Sequence, residues 1–136
     1  MKKLFLFLFS FGLLISTSVT AEIVLYCNGE LATGLVKESE IWRAADFQPD
    51  RYTIKFSDDY SEVKGLFAGH AWQCKNAYKT EATNTVICSE KFLGNGASFT
   101  YHKNTKRFVH VFGTASGFVI NNNDTTNINA GTCQKF

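Results

Sequence analysis

The sequence predicts an all-β domain stapled by two disulfides. Three observations lead there. Aromatic and β-branched residues recur in short alternating runs along the chain. Four cysteines, an even number, follow a leader-like N-terminus. One stretch alone has helical character, so at most one short helix is expected. About eight strands on one small domain make an antiparallel β-barrel or β-sandwich, and pattern leaves both open.

The first residues belong to export rather than to the fold. Met1-Lys2-Lys3 is a basic start, and Leu4 to Ile15 is an apolar run interrupted only by Ser10 and Gly12. Small and hydroxyl residues follow, ending in Val19-Thr20-Ala21. Small residues one and three positions before a cut suit signal peptidase, which places cleavage after Ala21. The run is shorter than the roughly 20 residues a membrane-spanning helix needs, so no stable membrane anchor is expected. Residues 1–21 are thus read as a signal peptide and 22–136 as a single β domain, periplasmic or secreted. The compact, lysine-led signal is of bacterial type.

Charge excludes one class of partner. The chain has 14 Lys plus Arg and 12 Asp plus Glu, and Lys2 and Lys3 account for the whole excess. A neutral mature domain argues against a general nucleic-acid binder. The charges are unevenly spread, with acids concentrated before Glu62 and bases after it. They either form a dipolar surface or attract one another within the fold.

Taken in order, the segments read as follows. Ile23 to Cys27 is a first strand with Ile23, Leu25 and Cys27 on one side. Ser39 to Phe47 is the exception, one or two helical turns ended by Gln48-Pro49-Asp50. Tyr52, Ile54 and Phe56 alternate with Thr53 and Lys55, a half-buried strand. Asp58-Asp59 turns the chain into a return strand, Val63 to Phe67. Ala71 to Tyr78 and Thr85 to Phe92 form a hairpin, and Gly94-Asn95-Gly96 is a turn. Ser98 to His102 and Arg107 to Phe112 form a second hairpin around Lys103-Asn104-Thr105-Lys106. There Tyr101 faces Phe108 and Phe99 faces His110, all on one face. Phe118 to Ile120 is a short strand, Asn121 to Asn129 a polar loop, and Thr132 to Phe136 the last strand.

Cys27, Cys74, Cys88 and Cys133 allow three pairings. Cys74–Cys88 and Cys27–Cys133 are favoured, because the first pair sits across a predicted hairpin and the second ties the chain ends together. In the chain-entropy description loops of about 15 and about 107 residues contribute roughly 3 and 4.7 kcal/mol. No close Cys-x-x-Cys pair exists, so neither zinc nor another cofactor is expected.

Paired cysteines leave no thiolate for a Cys-His nucleophile, and there is no Gly-x-Ser-x-Gly turn. Ser116 reads as a turn serine. Asp46, Asp50, Asp58, Asp59 and Glu62 could serve acid–base chemistry or calcium, though Asp58-Asp59 is explained by its turn. The stretch Asn121 to Asn127 has one carboxylate, too few for a strong calcium loop. His110, among Phe99, Tyr101, Phe108 and Phe112, is either a pocket group titrating near neutrality or a hydrogen-bonded core histidine. Lys103, Lys106 and Arg107 make a basic hairpin tip beside His102, either solvated or docked to an acidic partner. Trp42, Trp72 and Tyr78 are read first as core aromatics.

Tyr52-Thr53-Ile54-Lys55-Phe56-Ser57-Asp58-Asp59-Tyr60, Thr105-Lys106-Arg107-Phe108 and Ala130-Gly131-Thr132-Cys133-Gln134-Lys135-Phe136 resemble a group of small exported bacterial proteins of uncharacterised function. That resemblance implies no activity. Tyr26-Cys27 with Cys133 loosely resembles the bacterial inhibitors of C-type lysozyme, small exported β-barrels whose N-terminal Tyr-x-Cys segment is bridged to a C-terminal cysteine. Their Ser-Gly-x-x-Tyr motif has no counterpart, since Phe118, Val119 and Ile120 follow Ser116-Gly117, so no site residue is implied.

The expected function is a non-enzymatic binding module of the cell envelope, contacting an envelope or extracellular protein or a small ligand. An inhibitor of an extracellular hydrolase, probing with the basic tip, is the second expectation. A carrier of a small apolar ligand is the third.

Overall fold

The computed structural model describes residues 21–66, 69–77, 84–91, 96–113, 118–120 and 125–136. The expected signal peptide lies outside the described residues except for Ala21. Nine strands form one antiparallel sheet. They are β1 (Ile23–Glu38), β2 (Ile41–Asp46), β3 (Arg51–Phe56), β4 (Glu62–Lys64), β5 (Trp72–Asn76), β6 (Thr85–Glu90), β7 (Ser98–His102), β8 (Arg107–Phe112) and β9 (Thr126–Lys135). Order runs β2-β1-β3-β4-β5-β6-β7-β8-β9, and β1 also pairs with β9. That last pairing closes an eight-stranded barrel and leaves β2 as an extra strand. The choice between sandwich and barrel falls to the barrel. Closure satisfies both backbone edges of each strand it includes.

Sequence alternation produces this wall directly. Along β3, Tyr52, Ile54 and Phe56 are buried while Arg51, Thr53 and Lys55 are exposed. Along β7 and β8, Phe99, Tyr101, Phe108 and His110 point inward, and Phe99 pairs with His110 and Tyr101 with Phe108. Rings then fill the interior. Phe99 stacks on Phe108 with centroids 5.5 Å apart, and Phe56 stacks on Tyr101 at 5.7 Å. Both bridges form as expected, Cys27–Cys133 and Cys74–Cys88. Each joins directly opposed residues of neighbouring strands. Two disulfides are compatible with an oxidising compartment.

Several boundaries move. The expected helix at Ser39 to Phe47 is instead the turn of a hairpin followed by β2. β1 does not stop at Cys27 but runs on to pair with β2, Glu38 opposite Ile41 and Thr33 opposite Asp46. The turn was hidden because its two residues, Ser39 (φ 48°) and Glu40 (φ 69°), take the left-handed conformation without glycine or asparagine. Glu40→Gly should therefore stabilise the protein by about 1 kcal/mol, since a side chain in that region costs about 1–2 kcal/mol. A chemical denaturation midpoint lower than that of the parent would contradict this.

Phe118–Ile120 is one π-type helical turn and not a strand. β9 begins at Thr126, earlier than expected, because it pairs with β8 and β1 from Phe112–Asn127 and Leu35–Thr126 onward. Tyr78, Ser116 and residues 121–124 of the expected loop lie outside the described residues.

Gly65 shows why β4 ends where it does. Its φ is 93°, and a Cβ there would strike the Thr53 carbonyl oxygen, so the chain turns tightly over β3. Leu66 is then tucked into the core. Lys64 pairs with Glu22 at 3.5 Å and Lys91 with Glu62 at 3.0 Å, so bases of the later half meet acids of the earlier half.

Candidate functional site

Two groupings of polar residues stand out, and they sit in different places. The first is the β7–β8 tip, Lys103 to Lys106. Five side-chain and backbone contacts fix it. The Lys106 N–H donates to the His102 carbonyl at 2.9 Å, with Lys106 at φ 60°. His102 Nδ1 accepts the Thr105 N–H at 3.1 Å and lies 3.0 Å from Thr105 Oγ1. The first of these bonds requires an unprotonated Nδ1. The Lys103 ammonium lies 4.0 Å from the Tyr60 ring centroid, a cation–π contact. Tyr60 itself packs on Phe56, centroids 5.0 Å apart. The Lys106 carbonyl accepts the Cys133 N–H at 2.7 Å, which anchors the tip to the bridged strand β9.

Lys103 and Lys106 lie on this tip, and Arg107 opens β8 beside it. Among the described residues none of the three takes part in a salt bridge. Three cations on or beside a structured loop give a local positive field, with the Glu30 carboxylate bonded to Thr132, the residue opposite Arg107.

The second grouping surrounds His110, which does not join the tip. His110 is 1% exposed, inside the barrel. Its Nδ1 lies 3.0 Å from the Tyr52 hydroxyl. Asn129 Nδ2 donates to that hydroxyl at 3.1 Å, and the hydroxyl donates to Asp50 Oδ2 at 3.2 Å. A phenol has one proton. With that proton directed at Asp50, the Tyr52 oxygen accepts from both Asn129 Nδ2 and the N–H of His110 Nδ1, which sets the neutral tautomer. Burial holds the His110 pKa down at about 4, partly opposed by the negative charge of Asp50. Burial, with Asp50 adding to it, also raises the Tyr52 pKa. His110 is thus a neutral, hydrogen-bonded core residue at neutral pH, the second of its two readings.

Sequence reasoning found His110 but missed its partners Asp50, Tyr52 and Asn129. No local pattern could show them, because Tyr52 lies 58 positions from His110 and 77 from Asn129. Strand register alone brings them together, His110 standing opposite Asn129.

The other candidates resolve into structure. Asp59 Oδ1 accepts from Ser57 Oγ at 2.7 Å and from the Ser61 N–H at 2.9 Å. These bonds lower its pKa to about 2 and fix the β3–β4 turn. Trp72 is buried in the core, 5.8 Å from His110 between ring centroids. Trp42 packs edge-on against Phe118, centroids 5.1 Å apart. Among the described residues no cluster of three metal-ligating side chains occurs.

A cleft of about 550 Å³ opens where β1 parts from β3, lined by Asn28, Gly29, Gln48, Pro49, Asp50 and Arg51. The Gly29 N–H donates to the Asp50 carbonyl at 2.8 Å. A Cβ on Gly29 would collide with Asn129 Oδ1 and with that carbonyl. Glycine thus lets the wall close over the buried network, to which the Asp50 carboxylate is joined through the Tyr52 hydroxyl.

No family model, curated protein or solved structure matches this chain.

Proposed function

We propose that the chain is an exported, non-catalytic binding module of the bacterial cell envelope or medium, whose basic β7–β8 tip docks on an acidic surface of a partner protein. The observation that carries this reading is the tip itself. It is fixed by His102, Thr105, Tyr60 and Cys133, and among the described residues its cations make no salt bridge. A loop already held in shape loses less conformational freedom on binding than a floppy one. Charge then favours approach by acidic partners and raises the rate of encounter. Inhibition of an extracellular hydrolase is one way such a probe would act, by occupying an acidic substrate cleft.

A carrier of an apolar ligand is the weaker reading. Phe56, Phe99, Trp72, Tyr101 and Phe108 pack the barrel interior at 2% exposure or less. The leader-like N-terminus and the two bridges support export.

The test is capture from envelope extract by the oxidised protein, followed by charge reversal at the tip. Lys106→Glu and Arg107→Glu together, which leave Lys103 on Tyr60, should weaken capture of the partner by about tenfold or more and reduce its salt dependence. Melting should stay close to the parent's. Equal capture by parent and variant would remove the tip from the function.

A further inference from the structure

Strand register lays an apolar band across the outer wall of β1, β9 and β8. Leu31, Ala130 and Val109 stand side by side, and Thr33, Ile128 and Val111 form the next row. Phe108, His110 and Asn129 alternate with these residues and are buried, so both rows face outward. Leu31 is 72% exposed, Ile128 43% and Val109 40%. One exposed apolar side chain needs no explanation, but a contiguous band marks a contact surface. The band is bordered by charges of both signs. Its neighbouring row is Asn28, Thr132 and Arg107. A bulge between Gly29 and Leu31 takes Glu30 out of the ladder, and the Glu30 carboxylate accepts the Thr132 hydroxyl at 2.8 Å. An acid at β9 thus stands beside a base on β8, and among the described residues neither makes a salt bridge.

We infer that this wall is the contact between two copies of the chain, packed face to face about a two-fold axis that runs along β9. Such an axis lays β8 of one copy over β1 of the other at the same height along the strands. Val109 then meets Leu31 of the second copy, and Val111 meets its Thr33. Arg107 meets Glu30 of the second copy, and symmetry repeats each contact in reverse. On the axis itself Ile128 packs against its own counterpart, and the small side chain of Ala130 lets the two sheets approach. Charge selects this occupant. An acidic protein or an anionic lipid headgroup would gain at Arg107 and lose at Glu30, whereas a second copy satisfies both. The band is smaller than the roughly 20–30 residues a side of a standard interface, so the pair is reversible, with a Kd on the order of 30 µM. Lys103 and Lys106 precede β8 and lie outside the contact, so the inference does not rest on docking by the tip.

The experiment is sedimentation velocity of the oxidised protein from about 1 µM to about 1 mM, a range that brackets the expected Kd. The weight-average mass should rise from one copy toward two. Leu31→Glu leaves the basic residues in place and should raise Kd about a hundredfold, because an apolar contact is lost at two symmetry-related places. Glu30→Arg and Arg107→Glu should each raise it about tenfold, and the two together in one chain should restore it, because the swap rebuilds both ion pairs. All three residues are exposed, so melting should not change. A protein that stays monomeric to the top of the range would overturn the inference. So would a dimer that ignores Leu31→Glu, or a double swap no tighter than its single variants. A monomer that floats with phosphatidylcholine vesicles, and loses this with Leu31→Glu, would give the band to a lipid surface and equally overturn it.

Discussion

Replacing Cys27 and Cys133 together by alanine should destabilise the fold by about 3–5 kcal/mol, more than the same change at Cys74 and Cys88. The reason lies in topology. Cys27–Cys133 joins positions 106 apart in sequence, and it does so where β1 meets β9 to close the barrel. Without the bridge the unfolded chain regains the freedom of a loop that spans nearly the whole domain. Cys74–Cys88 joins positions 14 apart within one hairpin, so its removal releases a shorter loop, expected to cost about 3 kcal/mol. Denaturant unfolding of the parent and the two double variants would measure this. A larger loss from the hairpin bridge, or a loss below about 1 kcal/mol from the closing bridge, would contradict the closure argument.

Stability should also fall by about 3 kcal/mol as pH drops from neutrality to 4, with His110 as the responsible group. Burial depresses its folded-state pKa to about 4 from an ordinary value of 6.5. The unfolded chain therefore binds a proton that the folded chain refuses between those two values. Stabilisation by neutral His110 is complete above about pH 6.5 and is lost as pH falls toward 4. Asp59, whose pKa is lowered from 3.8 to about 2, loses its contribution only as pH falls from about 3.8 toward 2, so the two windows separate. His110→Gln keeps a polar group near Tyr52 but does not titrate, and it should flatten the curve between pH 6.5 and 4. A His110 ring resonance titrating near 6.5 would show that the histidine is not shielded.

The interior of this barrel was legible because its cause is local. Tyr52-Thr53-Ile54-Lys55-Phe56 alternates with period two, and the β7–β8 register follows from a four-residue loop between two alternating runs. The bridges were legible for the same reason, since a hairpin and the two chain ends bring the right cysteines together. The β1–β2 turn was not legible. Its backbone is of the kind that glycine normally marks, yet Ser39 and Glu40 occupy it, and Ile41-Trp42 with Ala44-Ala45 suits a helix as well as a strand. Only pairing with the long β1 decides between them. The surroundings of His110 were hidden for a different reason. Asn129 comes from β9, Tyr52 from the start of β3 and Asp50 from just before it, and closure of the sheet, not any motif, assembles them.

The tip lies between these cases. Its charges can be read off Lys103, Lys106 and Arg107, but its rigidity cannot. Rigidity comes from one imidazole nitrogen accepting from Thr105, from an ammonium resting on Tyr60, and from a carbonyl bonded to Cys133.

That a basic loop stands ready-shaped for its partner is tested most directly by backbone ¹⁵N relaxation of residues 103–106 in the oxidised protein. Order parameters of about 0.85, equal to those of β7 and β8, are the expected result. Values below about 0.6 across the four residues would mean a loop that samples many shapes, and the docking account would lose its basis.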